Sequence, residues 1–109
     1  MGKFIIAKRK DGEFYFNLKA GNGLVILTSE GYTSKNECLN GIESARRSSM
    51  DQSKFEKLTS QNGKFYFNLR ATNGQIIGSS QMYETENSVK NGIISVEMNA
   101  PDADIEELD

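Results

Sequence analysis

Histidine and tryptophan are absent from the 109 residues, and cysteine and proline occur once each. Without histidine, and with Cys38 as the single thiol, a zinc site of the Cys/His kind cannot be assembled. Ser-His-Asp and Cys-His nucleophile systems fall with it. No metal and no cofactor is expected. A lone cysteine allows no disulfide within the chain, which fits a reducing cytosol. No apolar run approaches the roughly 18 residues of a membrane span. The opening MGKFIIAKRK confines its apolar run to Phe4–Ala7 and places its charges behind it, the reverse of a secretory signal. Position 6 is neither Ser nor Thr, so the myristoylation pattern is missing too. A cytosolic protein with no membrane partner is expected. There is no P-loop, because Gly2-Lys3 and Gly63-Lys64 are each followed by Phe. Gly21-Asn22-Gly23 reads as a hairpin turn, and no dinucleotide-binding glycine pattern is present. Paired carboxylates remain conceivable. The acids lie in turns, on helix surfaces and near the end, with few matched between halves, so no enzymatic activity is expected. A net charge of −2 and a pI near 5.2 speak against nucleic acid as a partner.

What the chain has is one unit written twice. GEFYFNLKAGNGLVILTS at Gly12–Ser29 matches GKFYFNLRATNGQIIGSS at Gly63–Ser80, with a shift of 51 and no gap. Between Gly12 and Ala45, 17 of 34 positions are identical to their partners. The first repeat is read as 1–52 and the second as 53–109, within one globular domain. A unit of about 50 residues buries too little of its surface to be secure alone, so the two should share a core. A monomer built as a pseudo-dimer of repeats follows.

Within each unit the apolar period changes from two to 3.6. Lys3–Arg9, Phe14–Leu18 and Leu24–Thr28 read as strands, joined by Asp11-Gly12 and Asn22-Gly23, pairs suited to two-residue hairpins. Phe14, Phe16 and Leu18 take one face of the second strand, and Glu13, Tyr15, Asn17 and Lys19 the other. Ser34 and Glu37 form a capping pair for a helix with a Cys38, Ile42, Ala45 stripe, ending near Ser48. The second unit repeats this: strands at Lys54–Thr59, around Phe65–Leu69 and at Gln75–Ser79, then a helix capped by Thr85 with a Val89, Ile93, Val96 stripe. Pro101 stops that helix, and Ala103–Leu108 forms a last strand. The pattern βββα-βββα-β predicts an α+β fold. Lys54–Thr59 is expected to bridge the two halves. Gly41 and Gly92 fall mid-helix, where glycine costs up to about 1 kcal/mol against alanine. Close packing of the helix on the sheet would account for them, as would a kink. Cys38 is matched by Val89 and reads as a small core side chain.

Two surfaces are candidates for function. Tyr15, Asn17 and Lys19, with Tyr66, Asn68 and Arg70, share an outward strand face. Asparagine is depleted in strands, so its presence at both places asks for a reason. Either Tyr and Asn bond across strands, or an aromatic, an amide and a base form a ligand-binding face that could stack a ring, and at the limit hold single-stranded nucleic acid weakly. Met82 and Tyr83, at the sheet-to-helix corner with Tyr32 as the twin of Tyr83, either staple the helix start or offer a contact for a partner protein. Charge divides unevenly: residues 1–54 carry nine bases and six acids, residues 55–109 four and nine. Ordinary solvation explains this, as does pairing of the acidic end with the basic first repeat.

The two copies of G-x-F-Y-F-N-L-[KR]-A-x-N-G, the segment Ile76–Tyr83 and the Asn-Gly-Ile helix cores resemble the YegP family of small bacterial proteins. The resemblance covers nearly the whole chain. It implies two tandem βββαβ repeats forming one antiparallel sheet, two helices on one face, and C-terminal strands exchanged between repeats. It implies no activity, cofactor or catalytic residue. A small binding module with an unidentified small ligand or protein partner is the expectation that remains.

Overall fold

The computed structural model describes residues 2–108. Three strands, β1 (Lys3–Lys8), β2 (Phe14–Lys19) and β3 (Val25–Ser29), lead into helix α1 (Lys35–Ser48). There follow β4 (Phe55–Thr59), β5 (Phe65–Arg70), β6 (Ile76–Ser79) and α2 (Glu86–Asn99), then β7 (Asp104–Glu107). All seven strands form one sheet in the order β4-β5-β6-β3-β2-β1-β7. The two repeats meet head to head at β3 and β6, so Thr28 faces its own repeat partner Ser79.

The α+β plan follows the sequence; three details differ. First, the sheet is mixed, not wholly antiparallel, because β7 runs parallel to β1. Shifted by 51, β7 corresponds to residues 53–56, where β4 begins. Each unit thus sends its last strand to the other unit. β4 pairs with β5. The equivalent place beside β2 is held by β1, so β7 is displaced outward and keeps its direction. Second, β4 joins the halves only as the first unit's last strand paired into the second; β5 is its one strand neighbour, so it lies at a sheet edge and not between the halves. Third, the hairpins are not two-residue turns. Gly23 and Gly74 take φ of +86° and +87°, but no other residue type is left-handed among those described. Ala20 N–H bonds Leu24 O at 2.9 Å, and Gly23 N–H bonds Ala20 O at 2.9 Å. That is a three-residue loop with glycine in the left-handed position.

Both helices cross one face, α1 over β2, β5 and β6, α2 over β3 and β5. Phe4, Phe16, Leu18, Phe67 and Leu69 are fully buried beneath Cys38, Ile42, Ala45 and Val96 in a single core. Phe16 meets Phe4 edge-on, with ring centroids 5.4 Å apart. Ser34 accepts from Glu37 N–H at 3.1 Å and Thr85 from Ser88 N–H at 3.0 Å, the expected caps. The carboxylate of Glu37 turns to the Thr33 and Ser34 hydroxyls and leaves the reciprocal backbone bond of a capping box unmade. The acidic end does pair with the first repeat: Lys3 with Glu106 at 3.1 Å and Lys35 with Glu107.

Burial pushes the Cys38 thiol up to about 11 from an ordinary 9.0. Between those values the unfolded chain has lost the proton and the folded one has kept it, so stability falls as pH rises from 9. By pH 10 the loss should be about 1 kcal/mol. In urea titrations at pH 8 and pH 10, Cys38→Val should remove that part of the alkaline loss. Equal losses in both proteins would show that the thiol plays no part.

Candidate functional site

On the uncovered sheet face the register aligns Glu106, Ile5, Asn17, Thr28, Ser79, Asn68 and Glu56 in one row. The asparagines have partners inside the protein. Asn17 Oδ1 accepts from Thr28 Oγ1 at 2.8 Å, and Asn68 Oδ1 from Ser79 Oγ at 2.5 Å. Arg70 Nε and Nη2 donate to Glu56 Oε1 at 3.1 and 2.9 Å, and its Nη1 to Gly74 O at 2.6 Å. Tyr15 is half-buried beneath the Arg9 guanidinium, 5.2 Å from the ring centroid. Tyr66 is half-buried opposite Leu58. Lys19 is exposed beside Lys3. Strands β2 and β5 are antiparallel to each other with two strands between them. Tyr15 and Tyr66 therefore lie on opposite sides of the row, about 14 Å apart across the sheet at about 4.8 Å per strand. The fold brings the asparagines into one row and keeps the tyrosines apart.

At the sheet-to-helix corner, Met82 is exposed and Tyr83 is not. Phe65 and Tyr83 exchange two backbone hydrogen bonds, 2.8 and 2.7 Å, as do Phe14 and Tyr32. The Tyr32 ring stacks over Phe16 at 6.5 Å and 12°. The hydroxyl ends of Tyr32 and Tyr83 fill the space above Gly41 and Gly92. A Cβ on Gly41 would stand 2.5 Å from the Tyr32 Cζ, and one on Gly92 2.6 Å from the Tyr83 Cζ. The helix glycines are therefore explained by a tyrosine on the helix, and not by close approach of the sheet. Burial, then nearby Cys38 and Glu30, raise the Tyr32 hydroxyl above its ordinary pKa of 10.0.

This packing lies in a feature that the sequence pattern did not disclose. An open groove of about 730 Å³ runs between α1 and the β5–β6 hairpin. A second, of about 330 Å³, runs between α2 and the β2–β3 hairpin. Its ten lining residues are, one for one, the repeat partners of residues lining the first. Seven of these ten pairs are identical: Ala20/Ala71, Asn22/Asn73, Ile26/Ile77, Tyr32/Tyr83, Asn40/Asn91, Gly41/Gly92 and Ser44/Ser95. Half of the aligned positions overall are identical, so the grooves are better preserved than the rest. Each groove joins a helix of one repeat to a hairpin of the other.

Local backbone shapes the floor. The β2–β3 register slips after Leu18 and the β5–β6 register after Leu69, leaving Ile26 and Ile77 as extra residues. Such bulges re-aim a side chain, and these isoleucines line the grooves. Asn22 and Asn73 each cap their turn, accepting from the N–H two residues on at 3.1 and 3.0 Å. Asn40 and Asn91 differ: both are exposed in mid-helix, and neither enters a side-chain hydrogen bond among the described residues. The three unmatched pairs make the grooves unlike in charge. Glu30 and Glu37 of the first become Gln81 and Ser88 in the second, and Leu24 faces the second where Gln75 faces the first.

A family described as "Domain of unknown function (DUF1508)" matches residues 10–56 and again 60–107. The first match ends in β4 and the second at the end of β7, the two strands that leave their own unit. The UPF0339 protein YegP of Escherichia coli K12 is 56% identical over 98 residues, covering 90% of this chain and 89% of that protein. A UPF0339 protein of Pseudomonas aeruginosa is 48% identical over 101 residues, covering 93% and 92%. The solution structure of E. coli yegP, described as a protein of unknown function, superposes with a TM-score of 0.93 at 52% identity, covering 97% of this chain and 91% of that one. That of a UPF0339 protein from Shewanella oneidensis also gives 0.93, at 47% identity, covering 98% and 91%. The chain belongs to the DUF1508 family and carries its unit twice.

Proposed function

We propose that the protein is a non-enzymatic binding module with two equivalent sites, the inter-repeat grooves. Asn40 and Asn91 carry this reading. Asparagine is a mediocre helix former, and these two stand exposed with amides that the fold does not use. A preserved polar group with no internal partner is one that a ligand can bond. The groove volumes fall in the range of small-molecule sites. The elements common to both grooves are a tyrosine hydroxyl, two asparagine amides, a serine and an isoleucine floor, none of them charged. They suit a small neutral ligand rich in hydroxyl or amide groups. The uncovered sheet face is the weaker surface, because Asn17, Asn68 and Arg70 already bond within it.

Titration of the isotope-labelled protein with a panel of neutral sugars and amides, read by amide NMR, tests this. Shifts should cluster at Tyr32, Asn40 and Gly41 and again at Tyr83, Asn91 and Gly92, with two affinities. Asn40→Ala should weaken the first site about tenfold and leave stability unchanged or slightly higher, since alanine is the better helix former. Shifts confined to Tyr15, Asn17, Tyr66 and Asn68 would move the site to the sheet.

A further inference from the structure

We propose that the edge of β4, with α2 beside it, receives an extended segment of a partner protein that adds to the sheet as a strand parallel to β4. Strands β1 and β4 are repeat partners, since Phe4 of β1 corresponds to Phe55 of β4. At the β1 edge the place is filled: β7 lies parallel to β1, with Ile105 opposite Phe4. At the β4 edge no strand follows among the described residues. Burial records the difference in the same residue types. Phe4 and Ile42 are 0% exposed, and their partners Phe55 and Ile93 are only half-buried. Beside them Ile94 is 48% exposed. Two small grooves, of about 310 and 220 Å³, run between β4 and α2, and Lys57 borders both.

The clamp that closes the first edge is also missing from the second. Arg46 Nη1 donates to Ala100 O at 3.3 Å and to Pro101 O at 3.1 Å, fixing the approach to β7, while its guanidinium lies 5.3 Å from the Phe4 ring centroid. Its repeat partner is Glu97. Nothing among the described residues therefore closes the β4 edge as β7 closes the other.

The filled edge also states what the open one would accept. Asp104, Ile105 and Glu106 of β7 stand opposite Lys3, Phe4 and Ile5. The corresponding residues at the open edge are Lys54, Phe55 and Glu56. An acidic residue followed by a large apolar one fits Lys54 and Phe55. Lys57 and Lys90 add positive charge on the rim, and none of these three lysines is in an ion pair among the described residues. Glu86 stands where Lys35 holds Glu107, so the far end of the segment should not be acidic. Backbone bonds to the open edge would supply affinity, and the apolar residue would supply register.

A synthetic peptide of sequence Pro-Asp-Ala-Asp-Ile-Lys-Gln-Leu, the β7 segment with its last two acids replaced by a base and an amide, is the probe. In amide NMR of the intact protein it should shift Phe55–Thr59 and Lys90–Ile94. The same peptide with aspartate in place of isoleucine should bind at least about tenfold more weakly. Ile94→Asp, a surface change, should weaken binding by a similar factor. Absence of shifts at β4 at millimolar peptide overturns the proposal. So do shifts confined to β1, which would report exchange with β7. Shifts at β4 that grow with protein concentration alone, accompanied by a doubled mass in sedimentation, would give the edge to a second copy and overturn it equally.

Discussion

Gly78→Ala should lower stability by about 3 kcal/mol, near the upper end for an overpacked site. The position is unusual because what a new Cβ would meet is backbone. The Thr28 carbonyl oxygen would stand 2.6 Å away, with Ser29 Cα and Thr28 C at 3.1 Å. A side chain can rotate aside; a strand backbone must shift bodily. The strand in question is half of the seam between the repeats, and that seam is narrow. It has two register pairs, Thr28 with Ser79 and Ser29 with Gly78, continued by a single bond from Glu30 N–H to Ile77 O at 3.1 Å. Gly78 is also where the repeats part company, since its partner is Leu27, a fully buried core residue. The seam can close because one side gives up its side chain. Urea unfolding of the variant should show a lower midpoint with an unchanged slope, and amide exchange should quicken first at Ser29 and Ser79. A midpoint within about 0.5 kcal/mol of the parent would mean that the seam has slack and that the repeats are held by the core alone.

The repeat made most of the fold legible. Two copies of an alternating FYFNL run, each followed by a turn, an apolar strand and a capped helix, allow little other than two strand-rich units sharing a core. The direction of β7 was not legible. It depends on β1 having taken the place beside β2, which is a fact of sheet order and leaves no mark on Asp104–Glu107. The grooves were hidden for a related reason. Asn40 and Asn73 are far apart in sequence and belong to different repeats. They line one groove only because β3 meets β6 head to head. The available signal was Asn40 and Asn91 themselves, polar, mid-helix and identical, next to two glycines that a helix does not favour. On the sheet face the same sign, a repeated asparagine, has a different cause. Asn17 and Asn68 face Thr28 and Ser79 across the strand, a pairing that needs the register before it can be seen.

Gly41→Ala and Gly92→Ala should each destabilise by about 1–2 kcal/mol, and together by about twice that, the sites being independent. Intrinsic helix propensity argues the other way, since alanine gains up to about 1 kcal/mol over glycine in a helix interior. The tyrosine decides the sign. Its ring carbon lies 2.5 Å from the new Cβ at Gly41. Retreat is blocked on two sides: the Tyr32 backbone is tied to Phe14 by bonds of 2.7 and 2.8 Å, and the ring already stacks on Phe16. With Tyr32→Ala in place the obstruction is gone, and Gly41→Ala should then stabilise by about 0.5–1 kcal/mol. The reversal is the decisive result, because a glycine kept for close sheet approach or for a kink would be harmed by alanine in either background. A stabilised Gly41→Ala in the presence of Tyr32 would sink the account. The same cycle bears on function. Gly41 holds open the place in which the Tyr32 hydroxyl reaches the groove, so its alanine variant should lose ligand shifts at Asn40 even though the amide itself is untouched.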